Sequence, residues 1–291
     1  MDFKIIKNDC IEYLKSDGKI ISSVDLTFLD PPFNQSKEYN SYDDNLPDDV
    51  YWDMMKDVCR SLFRITSNGG AVYFMQREKN TEYVLKCLRE AGWTFQNLII
   101  WKKKTSAVPS KVKYGKHYQI IAFATKGKNT RVFNKLRISP PIPSNYKYER
   151  KNGIYVTDVW DDIRELTSGY FAGDEAMRKD SGERFHKQQS PIALLLRIIL
   201  TSTKIGDTVV DPFAGTGTTL VVAHQLGRKS IGIEIDSENI SCIEYRLKNI
   251  READNILTYY SYYKYTENLN NIWNSKIKVQ RYNSKTIEIF D

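Results

Sequence analysis

The chain has 291 residues, 41% hydrophobic and 27% charged, which is the usage of a globular protein large enough for one α/β domain or two small ones. No apolar run approaches the roughly 18 residues of a membrane span, residues 1–9 lack the pattern of a secretion signal, and collagen-like and disordered compositions are excluded. The net charge of +7 is uneven: residues 102–151 hold fourteen Lys or Arg against one acid, Glu149, so this stretch carries +13 and the rest −6.

The four cysteines, Cys10, Cys59, Cys87 and Cys242, lie far apart with no C-x-x-C pair, so neither a disulfide framework nor a zinc site is readable. They read as reduced thiols of a cytoplasmic protein, and no metal is expected.

Residues 24–29 form a short apolar run that stops at Asp30-Pro31-Pro32-Phe33. Two prolines cannot continue a central strand, which puts the acid at the strand's carboxyl end, where the crevices of α/β sheets open. Residues 34–49 are polar and aperiodic, a long loop. Helix periodicity follows over 50–63 and 81–91, with strand-like runs at 71–74, 95–101 and 118–124, so the first half reads β-loop-α-β-α-β-β. From 126 to 184 the chain carries Pro140, Pro141, Pro143, glycines and much of the charge without a sustained period, and it reads as an insertion.

Pro191 reads as a first-turn proline opening an apolar helix over 192–203. A buried strand at 208–210, a glycine loop, a helix over 220–226, a strand over 230–235 and a helix over 237–249 complete a βαβα unit. The tail from 255 is rich in tyrosine and ends in an expected strand pair. The fold class is therefore α/β, a Rossmann-like mostly parallel sheet, divided as 1–127, an insertion over 128–185, 186–254, and a tail over 255–291.

Gly215 and Gly217 stand between a strand and a helix, and Glu234 ends the next strand 17 residues on. Glycines let backbone approach a ligand closely, and an acid there accepts hydrogen bonds from ribose hydroxyls. Leu220 occupies the place of the third glycine of the dinucleotide fingerprint, which argues against a pyrophosphate. Two glycines alone also fit an ordinary strand-to-helix turn.

The Asp30–Phe33 string suits methylation of an exocyclic amino group. Such a nitrogen is conjugated into its ring and nucleophilic only when acceptors hold its hydrogens, as the Asp30 carboxylate and Pro31 carbonyl could. Pro31 and Pro32 would fix those acceptors in advance, and Phe33 would stack on an extruded base. A Pro-rich strand exit capped by its Asp is the plainer alternative. The basic block, interleaved with Tyr114, Tyr118, Phe133, Tyr146 and Tyr148, would follow a phosphate backbone through Lys102, Lys103, Lys104, Lys111, Lys113, Lys116, His117, Arg131, Lys135 and Arg137. Charge alone fits a solvated face equally well.

Taken together and in this order, the motifs resemble those of β-class, circularly permuted DNA amino-methyltransferases that use S-adenosylmethionine. In that family the catalytic motif comes first, the target-recognition region next and the cofactor motif last, as Asp30–Phe33, the basic insertion and the Asp211-Pro212-Phe213-Ala214-Gly215-Thr216-Gly217-Thr218-Thr219 loop do here. Asn8-Asp9-Cys10 resembles the family's G-D-C element, implying that Asp9 and Cys10 lie on the cofactor's adenine side. His186-Lys187-Gln188-Gln189-Ser190-Pro191 resembles H-P-T-Q-K-P, implying contacts from Gln189 and Ser190 to the methionine moiety, with Lys187 and Ser190 departing from the pattern. The stretch 232–236 matches G-I-E-I-D, implying cofactor contacts from Glu234 and Ile235. Gly115-Lys116-His117-Tyr118 with Thr125-Lys126-Gly127 resembles the stretch that lies beside the target base. Phe33 replaces the usual Tyr and keeps the stacking face.

The resemblance implies a site-specific enzyme of a restriction-modification system acting on double-stranded DNA. A homodimer and a cognate restriction endonuclease are its further implied partners. In the family an acid at the first motif position accompanies N6-adenine, so Asp30 favours adenine over N4-cytosine. Guanine-N2 methylation of ribosomal RNA and a catalytically silent DNA-binding subunit are the remaining alternatives.

Overall fold

The structure is a computed structural model that describes residues 2–16, 23–37, 42–105, 107–139, 151–166, 173–179, 181–185 and 188–274. Its elements are β1 (Phe3–Lys7), α1 (Cys10–Lys15), β2 (Val24–Leu29), α2 (Asp48–Ile65), β3 (Thr66–Arg77), α3 (Thr81–Glu90), β4 (Thr94–Lys102) and β5 (Tyr118–Thr125), then the short strands β6 (Arg137–Ile138), β7 (Ile154–Tyr155) and β8 (Val159–Trp160). After these come α4 (Ile192–Ser202), β9 (Thr208–Asp211), α5 (Thr218–Gln225), β10 (Lys229–Glu234), α6 (Ser237–Lys248) and α7 (Leu269–Ile272).

Eight strands form one sheet in the order β1-β10-β9-β2-β3-β5-β4-β8, and only β5 runs against the rest. The amino-terminal and carboxyl-terminal halves interleave in it, since β1 pairs with β10 (Ile6 opposite Ile233) and β2 with β9 (Thr27 opposite Val210). Strand alternation sorts the core into two faces. Ala71, Tyr73 and Met75 pack on the side of α4 and α5, whereas Val72 and Phe74 pack on the side of α2 and α3.

Helix α4 is apolar all round because it is covered twice, by the sheet and by the tail, whose Ile256, Tyr263 and Trp273 join its cluster. Its one cation, Arg197, is buried, pairs with Asp162 and lies 5.1 Å over the Trp160 ring; the Tyr262 hydroxyl donates to the same Asp162 at 2.7 Å. The described part of the tyrosine-rich tail, residues 255–274, thus packs against the core.

Several expectations need correction. A first strand and helix, β1 and α1, precede the elements read from sequence; in β1 only Ile6 is buried, and its lysines mask the period. The apolar core of β3 continues into polar ends, so the strand runs from Thr66 to Arg77 rather than 71–74. The insertion is not wholly irregular, for β8 pairs with Ile100 and Trp101 at the sheet edge. Pro191 is the cap residue, and the first helical N–H, that of Ile192, donates to the Glu175 carboxylate at 2.5 Å. Helix α5 begins two residues earlier than expected, at Thr218. The strand pair expected at the chain's end lies outside the described residues.

Candidate active site

Four neighbouring parallel strands deliver their carboxyl ends to one rim. Asp9 and Cys10 follow β1, Asp30 follows β2, Asp211 ends β9 and Glu234 ends β10. Around them a cleft of about 320 Å³ is lined by Asp9, Cys10, Asp30, Pro31, Pro32, Pro212, Phe213, Gly215, Glu234 and Ile235, together with Ile11, Ile233 and Asn239. Its walls mix apolar side chains with carboxylates and other polar groups, Lys179 and Arg184 among them, a surface suited to a ring carrying a sugar and charged groups.

Local chemistry fixes each wall. The Asp9 carboxylate caps α1 by accepting the N–H groups of Ile11 (2.8 Å) and Glu12 (3.1 Å). Asp236 caps α6 in the same way through Glu238 (2.7 Å). Glu234 accepts the N–H of Gly215 at 2.7 Å and of Asp236 at 2.9 Å, so its carboxylate ties the glycine loop to the end of β10 and is held in a single orientation. Burial raises its pKa. Gly217 has φ +80°, and a Cβ there would meet the Ile243 side chain at 2.8 Å, so only glycine fits between loop and α6. Asp211 is buried and spends its oxygens on Phe213 N–H (3.0 Å) and the Thr219 hydroxyl (2.6 Å). It shapes the loop, and burial pushes its carboxyl up to about 7.

A small crevice beneath the cleft is bordered by Asp30, Gln189, Ser190, Asp211, Ala214, Gly215, Thr216, Thr218 and Thr219. Here Gln189 is committed to the loop: its Oε1 accepts Met177 N–H at 2.9 Å and its Nε2 donates to the Glu175 carbonyl at 3.0 Å. Ser190 instead reaches Asp30, donating its hydroxyl to Oδ2 at 3.0 Å. His186 and Lys187 lie outside the described residues.

On the far side of Asp30 a second cavity, of about 420 Å³, is lined by Asp30, Phe33, Trp101, Lys103, Glu165 and Ser190, among others. Asp30 is thus shared by both chambers. Burial pushes its carboxyl up to about 7; the Ser190 hydrogen bond and the Lys103 and Lys37 ammoniums oppose that rise, and Asp211 adds to it. Phe33 is 2% exposed, so a ligand meets its ring only from inside this cavity. Lys103 lies 3.4 Å over the Trp101 ring, and burial lowers its ammonium to about 8.

The turn that carries Asp30 is braced by residues that sequence reasoning passed over. Tyr51, fully buried on α2, donates its hydroxyl to the Pro32 carbonyl at 2.7 Å and accepts from Gln76 Nε2 at 3.0 Å. Asn34, at φ +50°, and its neighbours wrap the buried Asp44, whose carboxylate accepts the N–H groups of Asn34 (2.8 Å), Gln35 (3.2 Å) and Lys37 (3.1 Å). In sequence Tyr51 is only one more residue of an apolar stripe, and Asp44 one more loop acid.

The basic residues divide. Lys102, Lys104, Lys111, Lys113, Lys116, His117 and Lys135 are exposed, with Lys116 3.7 Å from Glu78. Two expected phosphate contacts are placed elsewhere. Arg131 pairs with Asp25 (3.1 Å) and Asp207 at the amino-terminal ends of β2 and β9, a strand length from Asp30. Arg137 donates to the Asn152 carbonyl at 2.8 Å and lies 3.9 Å over the Tyr155 ring. Both cations neutralise or cover their own packing. Among the described residues no cluster of His, Cys, Asp and Glu is arranged to hold a metal, and no helix is long and apolar enough to cross a membrane.

The chain is similar to known DNA methyltransferases. The sequence pattern of the N6/N4 family, described as DNA methylase, matches residues 24–245. The DNA adenine methyltransferase YhdJ of Escherichia coli K12 is 34% identical over 256 residues, covering 81% of this chain and 79% of that protein. The type II methyltransferase M.HpaI of Haemophilus parainfluenzae is 30% identical over 248 residues, covering 85% and 74%. Among solved structures, the M1.HpyAVI–SAM complex superposes with a TM-score of 0.58 at 24% identity, covering 84% of this chain and 98% of that one. The cytosine-N4-specific PvuII DNA methyltransferase superposes with 0.61 at 18% identity, covering 84% and 88%. These structures share the fold.

Proposed function

The chain belongs to the N6/N4 DNA methylase family, and from that premise we infer that it transfers the methyl group of S-adenosylmethionine to the exocyclic N6 of an adenine in DNA. The observation that carries the reading is the position of Asp30 between two chambers, one framed by the glycine loop and Glu234, the other containing Phe33. The acid at the first position of the D-P-P-F motif, together with the adenine-acting relative, favours adenine over cytosine.

S-adenosylmethionine, when bound, supplies an electrophilic methyl group. The cleft fits it by chemistry: Glu234 can accept from ribose hydroxyls on the lone pairs left by its two backbone partners, and Ile11 and Ile235 flank the opening where a purine would lie. Gly215 and Thr216 border the crevice suited to its amino-acid end. Across Asp30, Phe33 presents a face to the extruded base. Asp30 accepts a hydrogen from the amino group, with Ser190 holding Oδ2 so that the carboxylate cannot rotate away. As nitrogen gains positive charge, a carboxylate beside it stabilises the transition state more than the neutral amine. A carboxyl raised to about 7 is then matched to take the proton that the methylated nitrogen must lose.

The order catalytic motif, recognition region, glycine loop supports reading the chain as circularly permuted, with residues 128–185 contacting the recognition sequence. The type II relative supports a restriction-modification setting in the cytoplasm with a cognate endonuclease, and a homodimer is the proposed assembly. Sedimentation of the purified chain, alone and with DNA, tests the last point.

Nucleoside mass spectrometry on unmethylated bacterial DNA, incubated with protein and S-adenosylmethionine, tests the central reading. N6-methyladenine is the expected product. N4-methylcytosine would keep the mechanism and overturn the choice of base, and no methylated base from protein that binds cofactor would overturn the DNA assignment.

Replacing Tyr51 with Phe removes the donor to the partly buried Pro32 carbonyl, a loss of about 1–2 kcal/mol that falls on the geometry of the Asp30 turn. The expected result is a kcat lowered about 10-fold with cofactor affinity within about 2-fold of the parent. An unchanged kcat would mean that the prolines hold the turn unaided.

A further inference from the structure

The three most exposed large hydrophobic side chains among the described residues sit together on one arm. They are Tyr114 at 98%, Val108 at 91% and Val112 at 85%, and they lie within a stretch, 102–117, that has six lysines and no acid. A surface built only to grip phosphates needs the lysines and gains nothing from two valines and a tyrosine held out in water.

The arm is built, not merely long. The N–H of Lys103 donates to the His117 carbonyl (2.8 Å), that of Ala107 to the Lys116 carbonyl (2.9 Å) and that of Ser110 to the Lys113 carbonyl (3.0 Å), closing a hairpin between β4 and β5. Its limbs approach so closely that a Cβ on Gly115 would stand 1.8 Å from the Ala107 carbonyl oxygen. Its root is clamped by Glu165, whose carboxylate accepts the N–H groups of Lys104 (2.8 Å) and Thr105 (2.9 Å). Glu165, Lys103 and Gln119 also line the chamber that holds Phe33, so the arm rises from that chamber's rim. From Thr105 to Ser110 is five residues, about 16 Å if extended, which keeps the tip within a few base pairs of the target.

We propose that the β4–β5 arm is a wedge that enters the DNA stack beside the target adenine, with Tyr114 filling the space the extruded base leaves and the flanking lysines holding the phosphates on either side. This rests on the DNA-methylation reading. The apolar environment that Val108, Val112 and Tyr114 lack in water exists within a duplex between its base pairs, and aromatic rings stack there with little regard to sequence. Extruding a base from a paired duplex is uphill, and an aromatic that replaces its stacking offsets that cost, whereas a base already unpaired needs no such help.

The test compares Tyr114→Ala and Tyr114→Phe with the parent on two duplexes carrying the mapped methylation site, one fully paired and one with the target adenine opposite an abasic position. Tyr114→Ala is expected to lose about 10- to 100-fold in kcat/KM on the paired duplex and to come within about 3-fold of the parent on the abasic one. Tyr114→Phe is expected to keep activity on both, and cofactor binding is expected to be unchanged in either variant. Equal loss on both duplexes, or no loss on either, overturns the wedge. Failure of the parent to methylate any DNA would instead overturn the underlying reading.

Discussion

Replacement of Asp30 by alanine is expected to lower turnover by about 10³-fold or more while the dissociation constant of S-adenosylmethionine changes by less than about 10-fold. The carboxylate is the shared wall of two chambers, and its partner is Ser190, not an element of the glycine loop. Loss of the side chain therefore removes the proposed acceptor for the amino hydrogens and leaves the Glu234–Gly215 and Asp211–Thr219 contacts in place. Burial sets a second readout. With its carboxyl raised to about 7, Asp30 is largely protonated at pH 6 and largely ionised at pH 8, and only the ionised form carries the charge that would stabilise positive charge growing on the amine. In the parent enzyme kcat/KM should rise with pH and level off above about 7, and Ser190→Ala, which removes a hydrogen bond that favours the ionised form, should move that limb to higher pH. Near-normal turnover by Asp30→Ala would remove Asp30 from the chemistry, and a flat profile would show that its protonation is not what limits the enzyme.

Arg246→Met is expected to destabilise the protein by about 3–5 kcal/mol, because it leaves part of a buried ionic cluster without its counter-charge. Arg246 and Asp254 are both fully buried, 2.7 Å apart, with Arg251 on the same carboxylate, also at 2.7 Å. Burial alone would raise the Asp254 carboxyl, but the two guanidiniums hold it below the ordinary aspartate value of 3.8. A depressed carboxyl contributes stability that is complete above that value and is lost as pH falls below it. The parent should therefore keep this contribution throughout the neutral range and lose it only in strong acid. Arg246 also donates to the Thr216 carbonyl at 2.6 Å and the Thr218 hydroxyl at 3.2 Å, so the same guanidinium holds the glycine loop from behind. Differential scanning should show a melting temperature lower by about 6–10 °C, and calorimetry a weaker affinity for S-adenosylmethionine. Arg246→Met combined with Asp254→Leu should recover part of the stability but not the affinity. Full recovery of both would mean that the loop needs no tether.

The residues proposed to meet the ligands were legible in sequence because the proposed chemistry demands particular side chains at particular spacings. Asp30 had to follow a strand, Gly217 had to accept a left-handed backbone, and Glu234 had to end the next strand. The residues that hold them were not legible. Tyr51, Asp44 and Glu165 act through hydrogen bonds to backbone 7 to 61 positions away, Gln76 acts through the Tyr51 hydroxyl, and nothing local marks a tyrosine that will find the Pro32 carbonyl. The same limit explains Arg131 and Arg137, which composition grouped with the exposed lysines of 102–116 and the fold turned to Asp25, Asp207 and Tyr155. Strand β1 escaped notice because an edge strand buries one face only, while β8 is two residues long and owes its existence to the edge of β4.

The interleaving of β1 with β10 and of β2 with β9 also bears on how the protein comes into being. The partners of β1 and β2 are made about 180 to 230 residues later, so during synthesis the open flank of β2 waits without its neighbour until Thr208–Asp211 has left the ribosome. A sheet closed by such distant pairings assembles slowly, and its unfinished form presents a bare edge to other nascent chains. Chains that stop short of β9 should therefore accumulate as aggregates rather than as a folded half-enzyme.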